Sequence, residues 1–126
     1  MSQLKLAILG AGRIAETMAK TVRQMDDVCL YAVAAREEAR AKAFAETYGA
    51  EHYYGSYEEM LQDDGVGLVY IATPHSHHAQ HAKLCIEYGR PVLCEKAFTW
   101  TAEEAEEVLR LAKEKQVFIT EAMWVR

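Results

Sequence analysis

Four of the five histidines in this 126-residue chain fall within seven positions, His75, His77, His78 and His81 in PHSHHAQH (74–81). Imidazoles at that density raise two chemistries, metal ligation and proton handling at a bound ligand. His77 and His81 stand four residues apart, the spacing of a zinc pair on one helix face. A zinc hydrolase helix spells H-E-x-x-H with the glutamate as base, and neither HSHHA nor HHAQH contains a glutamate. The stretch spells no closed four-ligand site, so no metal is expected, and solvated helix residues are the simpler reading of His77 and His81. A second candidate is Lys96, which follows Glu95 in RPVLCEKAFTW (90–100). A lysine partly withdrawn from water beside a cationic ring gives up its proton more readily, and can then act on a carbinol or carbonyl oxygen with Glu95 orienting it. A surface ion pair is the alternative for these two.

A third stretch, AILGAGRIAETMA (7–19), places Gly10, Gly12 and Ala15 in the pattern G-x-G-x-x-[GA]. Gly10 permits a tight turn and Gly12 lets the backbone approach a pyrophosphate. Ala15 lets helix and strand pack closely, and the helix N-terminus, with Arg13 and Ile14 in its first turn, faces the phosphate charge. The spelling is weak alone and strong at a first strand-to-helix junction; a P-loop is excluded, because no Gly-Lys-Ser/Thr follows. Which dinucleotide is bound depends on the end of the second strand, where an NAD site usually carries Asp or Glu for the ribose 2′-hydroxyl. Here Ala34, Ala35 and Arg36 occupy that junction. Arg36 offers a planar cation for a 2′-phosphate or an adenine face, with Arg13 assisting, so NADP is expected over NAD. Arg36 as a solvated first-turn residue is the alternative.

All three stretches need a scaffold that delivers strand ends to one edge. Short continuous apolar runs, LKLAIL (4–9), VCLYAVA (28–34), VGLVYIA (66–72), PVLCE (91–95) and VFIT (117–120), read as strands covered on both faces. Amphipathic helical patterns over 13–25, 36–49, 77–89 and 101–115 separate them, two ending on Gly49 and Gly89, suited to a left-handed cap. SYEEML (56–61) opens with Ser56 and has Glu59 three residues on, a capping-box spelling. Strand and helix in regular alternation imply right-handed crossovers and a Rossmann-type α/β fold, a doubly wound parallel sheet in three α/β/α layers. The histidine stretch then sits at the carboxyl end of the third long strand. Thr73 can cap a helix with Pro74 at its first position, and Ala72, Thr73, Pro74, His75 and His78 border a ligand crevice.

The composition suits a domain with a real core, 51% hydrophobic and 26% charged. A net charge of -5 with no basic run argues against nucleic acid or an anionic membrane as partner. No segment has the roughly 20 apolar residues of a membrane span, and the apolar N-terminal run is too short for a signal peptide. Cys29, Cys85 and Cys94 are odd in number and form no CxxC, so the cytoplasm is the expected compartment.

Taken together, AILGAGRIAETMA, YIATPHSHHAQHA, PVLCEKAFT and VFITEAMWVR resemble the N-terminal half of the glucose-fructose oxidoreductase, inositol dehydrogenase and rhizopine catabolism (Gfo/Idh/MocA) family. AAREEARAKAFA and EAMWVR are similar to its dihydrodiol and xylose dehydrogenase branch. The resemblance implies an NAD(P)-dependent oxidoreductase acting on CH–OH groups of a sugar, polyol or diol. The family's E-K-P motif matches Glu95 and Lys96, with Ala97 in place of the proline, which makes Lys96 the catalytic lysine. Its T-P-x-x-x-H segment beside the nicotinamide matches Thr73, Pro74 and His78, with His75 at the usual asparagine position. Its E-A-x-W-x-R matches Glu121, Ala122, Trp124 and Arg126 near the substrate entrance. Members carry a second α/β domain holding most of the substrate pocket, another catalytic residue and the homo-oligomer interface. Residues 1–120 are therefore expected to be the NAD(P)-binding domain and 121–126 the start of the second, so that this chain binds cofactor but turns over poorly or not at all. A non-catalytic dinucleotide-binding sensor is the alternative.

Overall fold

The computed structural model describes residues 4–72, 78–94, 102–117 and 119–121. Eleven elements alternate along the chain: β1 (Leu4–Leu9), α1 (Arg13–Val22), β2 (Val28–Ala34), α2 (Glu38–Tyr48), β3 (His52–Tyr54), α3 (Tyr57–Leu61), β4 (Leu68–Ile71), α4 (His78–Glu87), β5 (Val92–Cys94), α5 (Ala102–Lys115) and β6 (Ile119–Glu121). The strands form one sheet in the order β3-β2-β1-β4-β5-β6. All five pairings are parallel.

The side-chain period of two along β1 divides the interior into two cores. Leu6 and Ile8 join Val33 and Tyr70 against Ala15, Met18 and Phe44 of α1 and α2. Ala7 and Leu9 join Val69 and Ile71 against Met60, Ile86 and Val108 of α3, α4 and α5. Both faces are thus covered, which is why the strand sequences are continuously apolar. β1 pairs with β2 on one side and β4 on the other, so the strand order reverses at β1 and a crevice opens at the carboxyl ends of the two.

Two departures from the sequence reading concern the sheet edge and the end of α1. HYY (52–54) carries no apolar run, yet it pairs with Ala32–Ala34 as the sheet edge. His52 and Tyr53 are exposed and Tyr54 is half-buried at this edge, so its burial does not force an apolar spelling. Helix α1 ends at Val22 rather than Met25, because the chain closes through Gln24 N to Thr21 O and Met25 N to Val22 O, and Met25 is exposed with no core to reach. Gly49 and Gly89 take φ of 82° and 75°, the left-handed stops expected of them. Ser56 Oγ accepts from the Glu59 N–H at 3.4 Å and caps α3.

One polar node fastens α3 to the sheet edge. Asp63, just past α3, accepts from Tyr31 Oη at 2.9 Å, from Tyr54 Oη at 2.5 Å and from the Gly65 N–H at 2.8 Å. Burial pushes the Asp63 carboxyl up, but the bonds from Tyr54, Gly65 and Tyr31 outweigh it and hold the group below its ordinary value. Burial and the same carboxylate push the Tyr54 phenol up to about 12. Asp63→Ala is expected to cost about 2–3 kcal/mol in urea unfolding, the worth of hydrogen bonds to a charged acceptor. The pH dependence follows in sign. A carboxyl whose folded value is depressed contributes fully above its unfolded value of about 4, and the contribution fades as pH falls through that value and then the folded one. Asp63→Asn should therefore flatten the acid limb of the wild-type stability profile, and an unchanged slope there would count against the node.

Candidate functional site

At the carboxyl edge of β1 the chain makes its glycine turn. Gly10 has φ 112°, a conformation side-chain-bearing residues rarely adopt, and its N–H donates to Ala34 O at 2.8 Å. Gly12 precedes α1 with φ -93° and ψ -162°, and no side chain caps the helix. A β-carbon built on Gly12 meets nothing within 4 Å, so the space over the first turn is open. Ala15 is fully buried, where a larger side chain would force α1 off the sheet. Ile14 lies in the first turn of α1, and Arg13 begins it as an exposed residue.

The ends of β2 and β4 flank this turn. Ala35 is buried and its N–H donates to Tyr54 O at 3.1 Å, while the Ala72 N–H donates to Leu9 O at 2.9 Å. A cavity of about 380 Å³ results, bordered by Gly10, Gly12, Ala35 and Ala72 and, on its outer side, by Arg36, Glu37 and Arg40. Its described lining does not include Arg13. Among the described residues neither Arg36 nor Arg40 has an ion-pair partner.

Arg40 was not foreseen: it lies in the first turn of α2, whereas Arg36 precedes that helix, and only the fold brings both to one rim. Tyr57 and His81 were also missed, and both border the cavity. His81 corrects the reading of it as a solvated helix residue. It is only 7% exposed, and its ring meets Tyr57 edge-on with centroids 5.1 Å apart. The reason lies in α4's register: Ala82, Cys85 and Ile86 set the buried face, and His81 lies within that stripe. Among the described residues no three His, Cys, Asp or Glu side chains could share a metal ion.

The remaining site residues named from sequence fall elsewhere. His78 opens α4. Thr73, Pro74, His75, His77, Glu95, Lys96, Trp124 and Arg126 lie outside the described residues. The strands leading to them end at the crevice edge: Ile71 is level with Cys94, and Cys94 with Glu121.

This arrangement fits a dinucleotide. An uncapped helix N-terminus with open space above it attracts phosphate, and two unpaired guanidiniums at the rim of the same cavity can meet a second anionic group. Fold and site together define a dinucleotide-binding domain at a topological switch point. Residues 4–123 match the family model described as oxidoreductase family, NAD-binding Rossmann fold (GFO_IDH_MocA). The chain belongs to the Gfo/Idh/MocA family of oxidoreductases and is its NAD-binding domain.

Among relatives, D-xylose 1-dehydrogenase (NADP(+)) of Hypocrea jecorina is 43% identical over 135 residues, covering 98% of this chain and 34% of its own length. Trans-1,2-dihydrobenzene-1,2-diol dehydrogenase of Mus musculus is 38% identical, with 98% and 38% covered. Of solved structures, an NAD binding oxidoreductase from Klebsiella pneumoniae superposes with TM-score 0.88 at 28% identity, over 96% of this chain and 34% of that one. A 3-ketoreductase from Actinomadura kijaniata in complex with NADP gives 0.86 at 27%, over 95% and 38%. The chain spans about a third of the length of the curated relatives it matches. Among the described residues no helix is long and apolar enough to cross a membrane.

Proposed function

We propose that this domain prefers NADP over NAD and serves hydride transfer at a CH–OH or carbonyl carbon of a sugar, polyol or diol. The observation that carries the cofactor preference is the pair Arg36 and Arg40, unpartnered at the cavity rim beyond a strand that ends Ala34-Ala35 with no carboxylate. Glu37 borders the same cavity, so two cations stand against one anion there and the balance favours a 2′-phosphate. The name of the Hypocrea relative, which specifies NADP(+), supports the same reading. Substrate class rests on the names of the xylose and dihydrodiol relatives.

When bound, the nicotinamide would accept a hydride from a CH–OH carbon or donate one to a carbonyl carbon. The chain's own residues bind and orient: Gly10 and Gly12 admit the phosphates, Ala35 and Ala72 border the ribose, and Arg36 with Arg40 hold the 2′-phosphate. Thr73, Pro74, His75 and His78 continue the wall toward the nicotinamide in this reading, with Glu95 orienting Lys96, which exchanges a proton with the substrate oxygen. Trp124 and Arg126 are assigned to substrate contact in this reading, and the rest of the substrate pocket, with a homo-oligomer interface, is assigned to the region relatives carry beyond this chain. Among the described residues Cys29 and Cys85 are in no disulfide, which suits a cytoplasmic enzyme.

Calorimetric titration tests the preference on this chain directly. NADP is expected to bind at least about tenfold more tightly than NAD, and Arg36→Ala or Arg40→Ala to cost NADP about tenfold while leaving NAD nearly unchanged. Tighter binding of NAD would overturn the reading.

A further inference from the structure

Arg36 and Arg40 stand on a stretch of chain with little anchorage of its own. Past Ala34 the strand makes one more backbone bond toward β3, from the Ala35 N–H to Tyr54 O at 3.1 Å, and Arg36 is the next residue. Helix α2 then starts at Glu37 without a side-chain cap. The chain between two such points takes its position from whatever holds Tyr54.

Tyr54 ends β3, an edge strand of three residues, too short for its own ladder to hold it firmly. Its side chain supplies the hold. Tyr54 Oη donates to Asp63 Oδ2 at 2.5 Å, and the turn that carries Asp63 is fixed in its turn by the Gly65 N–H and by Tyr31 Oη. A β-carbon on Gly65 would collide with the Tyr31 hydroxyl, so this turn lies tight against β2. From Tyr54 two contacts lead to the arginines. One is the bond to Ala35, beside Arg36. The other is Gly55, where a β-carbon would stand 2.9 Å from Glu38 Cβ in the first turn of α2, two residues before Arg40.

We propose that Asp63 and Tyr54 are positioning residues for cofactor selectivity: their bond holds the end of β3, which seats Arg36 through Ala35 and Arg40 through the packing of Gly55 on α2. Neither residue borders the cavity at the glycine turn, so both act through the arginines. The inference rests on the NADP reading above. Guanidinium pairing with a phosphate depends on geometry to a fraction of an ångström, so a looser seat weakens the grip on a 2′-phosphate. The glycine turn is held from the other side, by the Gly10 N–H on Ala34 O at 2.8 Å, and keeps its phosphate contacts. Loss of the bond between Tyr54 and Asp63 therefore costs NADP and spares NAD.

The test titrates this chain and three variants with NADP and with NAD by calorimetry, at a temperature where thermal melts show each folded. Tyr54→Phe keeps the ring and removes only the hydroxyl; it is expected to lower NADP affinity about tenfold and NAD affinity less than about threefold. Gly55→Ala breaks no hydrogen bond and needs no positive φ, but it pushes on Glu38, and the same fall in the NADP to NAD ratio is expected. Tyr31→Phe removes a bond to the same carboxylate from a residue five positions before Arg36; it should lower the melting temperature and leave the ratio within about threefold. This separates positioning from general stability, which would move the two tyrosine variants alike. A wild-type chain that prefers NADP, with the ratio unchanged in Tyr54→Phe, or in Gly55→Ala should Tyr54→Phe not fold, would overturn the proposal and leave the cofactor reading intact. An equal fall of the ratio in Tyr31→Phe would also overturn it. A wild-type chain without preference for NADP would overturn the cofactor reading and this proposal with it.

Discussion

Gly12→Val is expected to leave the unfolding transition in place while lowering NADP affinity about a hundredfold. Its φ of -93° and ψ of -162° lie in extended backbone, where a β-branched residue is at ease. A β-carbon there touches nothing within 4 Å, so the protein alone has no reason to exclude a side chain. The space it would fill is that over the first turn of α1, where phosphate has to approach the backbone. Gly10 gives the contrasting case: at φ 112° any side chain strains the turn, so Gly10→Val should lower stability and binding together. Thermal melts beside calorimetric titrations separate the two. Affinity unchanged in Gly12→Val would mean that phosphate does not lie over α1.

The second large effect concerns turnover. In a protein carrying this chain together with the region its relatives have beyond it, Lys96→Ala is expected to lower kcat by about 10²- to 10⁴-fold, the range of general acid–base catalysis. Cofactor affinity should stay within about threefold. Lys96→Arg should not rescue kcat, because a guanidinium keeps its charge throughout the working range and cannot exchange a proton as an amine can. The pairing of Cys94 with Ile71 on one side and Glu121 on the other brings β5 to the same sheet edge as the glycine turn, two residues before Lys96 in sequence. Turnover unaffected by Lys96→Ala would refute the proton role and favour a binding domain without chemistry of its own.

The glycine turn, the strand-helix alternation and the helix stops were legible in the sequence because each is local. Gly10, Gly49 and Gly89 occupy positive φ, which depends on a residue and its immediate neighbours. Ser56 capped where its spelling placed a cap. The continuous apolar spelling of β1, β2 and β4 followed from cover on both faces, and the two cores on either side of β1 show that cover.

Other features depended on which elements meet. Edge strand β3 is defined by a neighbour rather than by its own spelling, since HYY shows neither alternation nor an apolar run. The Asp63 node joins residues 9 and 32 positions away in sequence, and only the pairing of β2 with β3 presents both phenols to one carboxylate. Arg40 became a candidate cofactor residue only when α2 placed it at the cavity rim with Arg36. His81 changed most. Its spacing from His77 suggested metal and its helix suggested solvent, whereas packing put it against Tyr57, 24 residues earlier in the chain, at the border of the cavity. Periodicity states that a face is buried; what covers it is decided by tertiary contact, because burial is shared between segments that carry no trace of each other in their own spelling.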